Sequence, residues 1–341
     1  MNALLPMLAP ILIFALSLLC TQVITACSQK AQLLQKNQPS VELPQAPADQ
    51  VSLEPFSAKE DAAARPAQAL SQRWIVGGQE AKQLIEQGAT VLDARGGFTL
   101  RGIPGAVAVD WRDFSQAQPT ARGTLITSDE QLTDQLQALG IRQEQPVVVF
   151  GQPPSGWGEE GRIVWMLRSL GHAQAVMVDG GLQSLLNSNV TVPRAHAQER
   201  GDFVVQRDST WDIQQQELRQ QLGADNLVVI DTREQREFAG ETPYGEQRGG
   251  HVPGAVHLYF KDFLDTGGNL LPAQVLLSKL EALNITPDSR VVVYCTGGIR
   301  SGWLVAVLVS LGYRAQNYAG SMWEWSAAPS ADYPLETAAG R

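Results

Sequence analysis

Cys295 stands at a junction between two kinds of sequence. The apolar run Val291-Val292-Val293-Tyr294 leads to it, Thr296-Gly297-Gly298-Ile299-Arg300 follows, and a helical stretch then runs from Ser301 to Leu311. A short β-branched run reads as a buried strand. A thiol between the C-terminal end of a strand and the start of a helix lies where open α/β sheets bind their ligands. The helix N-terminus offers unpaired N–H groups and partial positive charge. Two consecutive glycines let the backbone curl its amides into an anion nest, and Arg300 adds a full positive charge. These features lower a thiol pKa and produce a nucleophilic thiolate. A lone cysteine is more often a small buried hydrophobe, but a core cysteine has no need of Gly-Gly-Ile-Arg after it. A positive residue in a first helical turn opposes the helix dipole, which favours a ligand role for Arg300.

The chain has 341 residues, 44% of them hydrophobic, enough for two ordinary domains. Its net charge of −9 gives no general attraction to nucleic acid or to anionic membrane. Of its 3 cysteines, Cys20 and Cys27 lie in the N-terminal apolar segment. Removal of that segment leaves Cys295 as the one thiol of the folded part, with neither an internal disulfide nor a cysteine-based metal site. No cofactor and no metal is expected.

Residues 1–29 carry no charged side chain, and Leu4 to Ile24 is mostly apolar. The run ends in Ile24-Thr25-Ala26-Cys27. It reads as a signal peptide over residues 1–27, and its end resembles the bacterial lipobox, which implies lipidation of Cys27. Cys20 is the poorer candidate because Leu19 precedes it. The pattern lacks a Lys or Arg ahead of the apolar run; an anchor helix and a plain secretory signal are the alternatives. All three readings export the protein to the periplasmic side. Residues 28–72, rich in Gln, Ala, Pro and Ser, read as a flexible linker.

The remaining chain repeats itself. Thr90-Val91-Leu92-Asp93-Ala94-Arg95 matches Val228-Val229-Ile230-Asp231-Thr232-Arg233. Ile103-Pro104-Gly105-Ala106-Val107 matches Val252-Pro253-Gly254-Ala255-Val256, with Asp113-Phe114 and Asp262-Phe263 at the same interval beyond. Val147-Val148-Val149-Phe150-Gly151 matches Val291–Cys295, and Gly180-Gly181 matches Gly320-Ser321. Strands alternate with helical stretches such as Gln214–Leu222 and Ala273–Leu283. The expected fold is therefore α/β: two tandem domains, 73–190 and 203–335, each a parallel sheet flanked by helices. Gly151 occupies the position of the nucleophile in the first half, and its Pro153-Pro154 loop is about three residues longer, so that half is expected to be inactive.

The ordered set of motifs resembles the tandem rhodanese sulfurtransferases over roughly residues 73–335. Cys295-Thr296-Gly297-Gly298-Ile299-Arg300 resembles the active loop, Asp231-Thr232-Arg233 with Glu237-Phe238 the first motif, and Gly250–Ala255 the segment after it. Gly320-Ser321-Met322-Trp323-Glu324-Trp325 resembles the closing motif. The resemblance implies a two-step reaction through a Cys295 persulfide, taking sulfur from a small donor such as thiosulfate and giving it to cyanide, a thiol or a protein acceptor. It also implies that the amides of Thr296, Gly297, Gly298, Ile299 and Arg300 cradle the persulfide, that Arg300 holds the anionic donor or acceptor, and that Asp231 and Arg233 support the scaffold. Gly297 and Glu237 stand where thiosulfate-specific members tend to carry basic residues; Arg236 and Arg300 are the compensating candidates. The loop also differs from the Cys-Gly-Ser-Gly-Val of mercaptopyruvate-type members, which leaves the donor open.

Rival readings are a membrane-tethered sulfur carrier or binding module, and a Cys-based phosphatase. Phosphatases place five residues between Cys and Arg; four separate Cys295 from Arg300, a smaller loop that suits sulfur better than a phosphate ester. Other residues have structural readings. Asp93 with Arg95 repeats the Asp231–Arg233 pair, His251 belongs to a turn before Pro253, Trp323 and Trp325 pack between the halves, and Glu159-Glu160 forms a solvated helix start.

Overall fold

The computed structural model describes residues 70–96, 102–191 and 199–337. The signal peptide, Cys27 and nearly all of the 28–72 linker lie outside the described residues. The first half contains β1 (Ile75–Val76), α1 (Gly78–Glu86), β2 (Thr90–Asp93), β3 (Val107–Ala108), α2 (Asp129–Ala138), β4 (Val147–Phe150), α3 (Glu159–Ser169), β5 (Ala175–Val178) and α4 (Gly181–Asn187). The second contains α5 (Gln215–Gln221), β6 (Leu227–Asp231), α6 (Gln235–Ala239), β7 (Val256–His257), α7 (Ala273–Glu281), β8 (Arg290–Tyr294), α8 (Ile299–Ser310), β9 (Arg314–Asn317) and α9 (Ser321–Trp325).

Each half builds its own parallel sheet, ordered β1-β5-β4-β2-β3 and β7-β6-β8-β9. The second order repeats the first, with β1 reduced to a parallel bridge between Asp212 and Asn317. Strand β4 is buried at every position, and so is β8 from Val291 to Tyr294. This is why their sequences are unbroken apolar runs instead of alternating ones. Helix α8 starts two residues earlier than its apolar pattern suggests, because Ile299 and Arg300 already follow an N-cap at Gly298.

Helices α3 and α8 pack against each other, and the join is core-like. One apolar cluster runs through both halves, including Leu92, Val149 and Trp165 from the first and Val293, Trp303 and Leu304 from the second. A Cβ on Gly161 would lie 2.7 Å from Trp303 Cβ, and one on Gly302 would lie 3.2 Å from Arg162 Cα. The small residues let the helix backbones approach closely, at the cost of some helix propensity. Trp325 departs from the expected inter-half role. It is fully buried within the second half, against Tyr318 and Tyr333. Trp323 does meet the first half, stacking on Trp111 at 6.5 Å and lying under the Arg122 guanidinium at 3.6 Å.

Candidate active site

Strand β8 delivers Cys295 to the C-terminal edge of the second sheet, 1% exposed. Three residues on, Gly298 caps α8 with φ +83°, a left-handed conformation that costs glycine little. That turn sends the Gly298 N–H back to Cys295 Sγ at 3.1 Å. Ser301 Oγ, one helical turn along, lies 3.5 Å from the same sulfur. Burial pushes the Cys295 thiol pKa up, but the Arg300 charge and hydrogen bonds from Ser301 and the Gly297 backbone outweigh it, and the net displacement is downward. The helix terminus and the loop therefore favour thiolate in a buried position.

The closing motif clamps this loop from the other side. Ser321 adopts φ +52°, an uncommon value for a residue with a Cβ. Its Oγ accepts the Cys295 N–H at 3.1 Å and donates to Tyr318 O at 2.7 Å. The N–H groups of Met322 and Trp323 donate to the carbonyls of Cys295 and Thr296 at 3.1 and 2.9 Å. The Trp323 ring lies against Gly297 so closely that any Cβ there would collide with it.

Arg300 is 3% exposed, and its Nη atoms face Glu237 at 2.6 and 2.9 Å. Nη2 also donates to Thr296 Oγ1 at 2.6 Å, and Thr296 Oγ1 donates to Glu237 at 2.7 Å. Burial opposes the charged form of Glu237, but the Arg300 hydrogen bonds and charge prevail and hold its carboxyl below the usual range. Arg300 is thus anchored to Glu237 and Thr296 and acts on Cys295 through its field, with no hydrogen bond to the sulfur. Arg236, the second compensating cation, is exposed and turned to Glu234 and the Tyr244 hydroxyl at 2.7 and 3.1 Å. The Trp157 ring, from the first half, covers Arg300 at 5.1 Å and meets Tyr244 edge-on at 5.5 Å. Among the described residues it is one of the few exposed large apolar side chains, at 38%.

Asp231 and Arg233 form a fully buried ion pair at 2.7 Å beneath the loop. Arg233 also donates to Gly250 O at 2.7 Å, and Asp231 accepts the Tyr294 hydroxyl at 2.7 Å. Tyr294 immediately precedes Cys295, so the pair supports the strand end without touching the sulfur. Asp93 and Arg95 repeat the pair at 2.6 Å in the first half. His251 holds the expected turn, with Nδ1 3.0 Å from Phe238 O and its ring stacked on Phe238.

The equivalent loop of the first half is closed by its own side chain. N-cap Gly158 follows Gly151 by seven positions, against three from Cys295 to Gly298, so this loop is four residues longer instead of three. A Cβ on Gly151 would collide with the Glu160 carboxylate. Glu160 is 2% exposed, which corrects the solvated helix start expected for it. It lies two residues past its N-cap, as buried Arg300 does in the second half, and burial raises its pKa to about 7. Sequence reasoning also missed Arg162, which reaches from α3 to the Gly298 carbonyl at 3.5 Å. The available signal was an arginine opening the apolar run Ile163-Val164-Trp165-Met166-Leu167.

Residues 214–328 match the Rhodanese-like domain. The chain is 34% identical over 236 residues to the thiosulfate sulfurtransferase of Azotobacter vinelandii, covering 69% of this chain and 85% of that one. It is 32% identical over 272 residues to a probable 3-mercaptopyruvate sulfurtransferase of Pseudomonas aeruginosa, covering 74% and 94%. The fold is shared with the anaerobic ergothioneine biosynthesis enzyme of Chlorobium limicola at a TM-score of 0.66 and 20% identity, over 80% of this chain and 72% of that one. The repeat, the cysteine loop and relatives matched over most of their length place this chain in the rhodanese-like family of sulfurtransferases.

Proposed function

We propose that Cys295 carries the transferred sulfur as a persulfide, taken from an anionic donor such as thiosulfate and given to a thiol or cyanide. In the first step the Cys295 thiolate attacks the outer sulfur of thiosulfate. The new S–S bond forms as the old one breaks, and the bonding pair leaves with sulfite. In the second step the acceptor attacks the outer sulfur of the persulfide and the Cys295 thiolate departs. Dividing one displacement into two gives each a good leaving group. The observation that carries this reading is the Gly298 N–H at 3.1 Å from Sγ, on a helix N-terminus that favours anionic sulfur. The amides of Thr296 to Arg300 are proposed to surround the outer sulfur. The buried Arg300–Glu237 pair supplies field without a free guanidinium, which favours a persulfide monoanion over a bulkier phosphate ester.

Incubation with thiosulfate or mercaptopyruvate should add one sulfur to the intact protein, and Cys295→Ser should remove that gain. A Ser variant that still gains sulfur would show the assignment to be wrong. Steady-state thiocyanate formation separates an enzyme from a carrier, which would load once and stop. We also infer export and membrane attachment through lipidated Cys27, from the charge-free run ending Ile24-Thr25-Ala26-Cys27. Cys27→Ser should move the protein from the membrane fraction to the soluble one.

A further inference from the structure

We propose that Arg162, a residue of the nucleophile-free first half, is a positioning residue for the Cys295 loop, holding Gly298 in the conformation that aims its N–H at the sulfur. Arg162 is 1% exposed at the join between α3 and α8. One Nη donates to Gly123 O at 2.7 Å, within its own half, and reaches Ser115 Oγ at 3.4 Å. The other reaches across to Gly298 O at 3.5 Å, a carbonyl that Asn317 Nδ2 also holds at 3.2 Å. The same Nη would lie 2.8 Å from a Cβ on Gly298, so the guanidinium packs directly on the residue that turns the loop. Gly123 completes the floor, since a Cβ there would lie 3.0 Å from Gly297 O.

Charge points the same way. Among the described residues no carboxylate hydrogen-bonds to Arg162; its partners are the Gly123 and Gly298 carbonyls and the Ser115 hydroxyl. Burial pulls its pKa down to about 10, and the charges that oppose this are the Cys295 thiolate first and Asp212 second. The attraction is mutual, so Arg162 favours the thiolate as the thiolate favours Arg162. Arg300 is the charge that most lowers the Cys295 pKa, and the Cys295 thiolate is the first of the charges that hold up that of Arg162. The inactive half thereby supplies part of the electrostatics of the active one. This bears on the reactivity of Cys295 with any electrophile, independently of the sulfur donor.

The test is the pH dependence of Cys295 alkylation by iodoacetamide in the full chain, read by mass on the peptide that carries it. Arg162→Gln should move the alkylation profile to higher pH, with a lower rate wherever the wild-type thiol is only partly ionised. Arg162→Lys, which keeps the charge but not the fork, should recover part of the shift. Arg168→Gln is the matched control. Arg168 is a buried arginine of the same helix that donates to carbonyls of Leu70, Ser71, Arg73, Ala173 and Ala175 in the first half. Its loss should lower thermal stability and leave the alkylation profile in place. If Arg162→Gln does not fold, Arg162→Met, whose apolar chain suits the buried site, is compared in its stead. A folded Arg162 variant with the wild-type profile overturns the proposal, as does an equal shift in Arg168→Gln. Because alkylation involves no sulfur transfer, a failure here is distinct from a failure of the persulfide reading.

Discussion

Arg300→Gln should weaken the protein and raise the thiol pKa together, and the two effects should respond differently to pH. Arg300 is 3% exposed and makes two hydrogen bonds to fully buried Glu237. Removing one partner from such a pair leaves an uncompensated buried charge and costs about 3–5 kcal/mol. At roughly 2–4 °C per kcal/mol for a domain of this class, the melting temperature should fall by about 6–20 °C at neutral pH. In the wild type the Glu237 pKa lies below its unfolded value. Its contribution to stability is therefore complete above the unfolded value, near 4.5, and is lost as pH falls through the folded one. In the variant Arg300 no longer offsets desolvation and only the Thr296 hydroxyl and the Glu234 N–H still favour the charged form, so the folded pKa moves up and protonation relieves part of the cost. The stability gap between the two proteins should thus be widest at pH 7–8 and narrow toward pH 5. Thermal unfolding at several pH values measures the gap, and iodoacetamide alkylation measures the thiol. A gap that stays constant from pH 8 to pH 5 would refute an ionised Glu237–Arg300 pair.

Three further outcomes follow from the geometry. Glu160, raised to about 7 by burial, loses stability for the fold as pH climbs from its unfolded value through the folded one; Glu160→Gln should be more stable than wild type by up to about 3 kcal/mol at pH 8 and equal to it near pH 4.5, as read by denaturant titration. Gly151→Cys should not create a second sulfur-carrying thiol, because its side chain would collide with Glu160; intact mass after thiosulfate should still show one added sulfur, with a stability loss of about 1–3 kcal/mol. Tyr294→Phe removes the hydroxyl that donates to Asp231 at 2.7 Å and accepts the Val252 N–H at 3.0 Å, and should cost about 1–3 kcal/mol while leaving the pH profile of Cys295 alkylation unmoved.

What the sequence discloses and what it hides divide along chain distance. The Cys295 loop is legible because strand, nucleophile, glycine turn and helix start are contiguous, so local backbone rules suffice to assemble them. Asp231 and Arg233 are legible for the same reason, being two residues apart and repeated as Asp93 and Arg95. The repeat itself gives the second sheet its order, down to the Asp212–Asn317 bridge that stands for β1. Glu237 appears in sequence as part of the first motif and as a missing basic residue, with no sign of its partner. Its role becomes visible once α6 brings it against Arg300 across the loop. Glu160 reads as a surface acid because its neighbours are Glu159 and Gly161, but the position two residues past the N-cap glycine, held by Arg300 in the second half, is buried in both. Trp323 and Trp325 read alike in sequence, but the first stacks on Trp111 of the first half while the second packs against Tyr318 and Tyr333 of its own.

The retention of a half without a nucleophile has a physical reason in this arrangement. Helix α8 is apolar enough to need cover on both sides, with Trp303 through Leu308 all buried. The second sheet covers one side and α3 the other, so the helix that presents the anion-binding N-terminus is itself held by the first half. That half also places Trp157 over Arg300, and Gly123 and Arg162 beneath Gly297 and Gly298. In this fold the loop of the first half is filled by the Glu160 carboxylate, and the helix that follows it packs against the turn that aims the Gly298 N–H at Cys295.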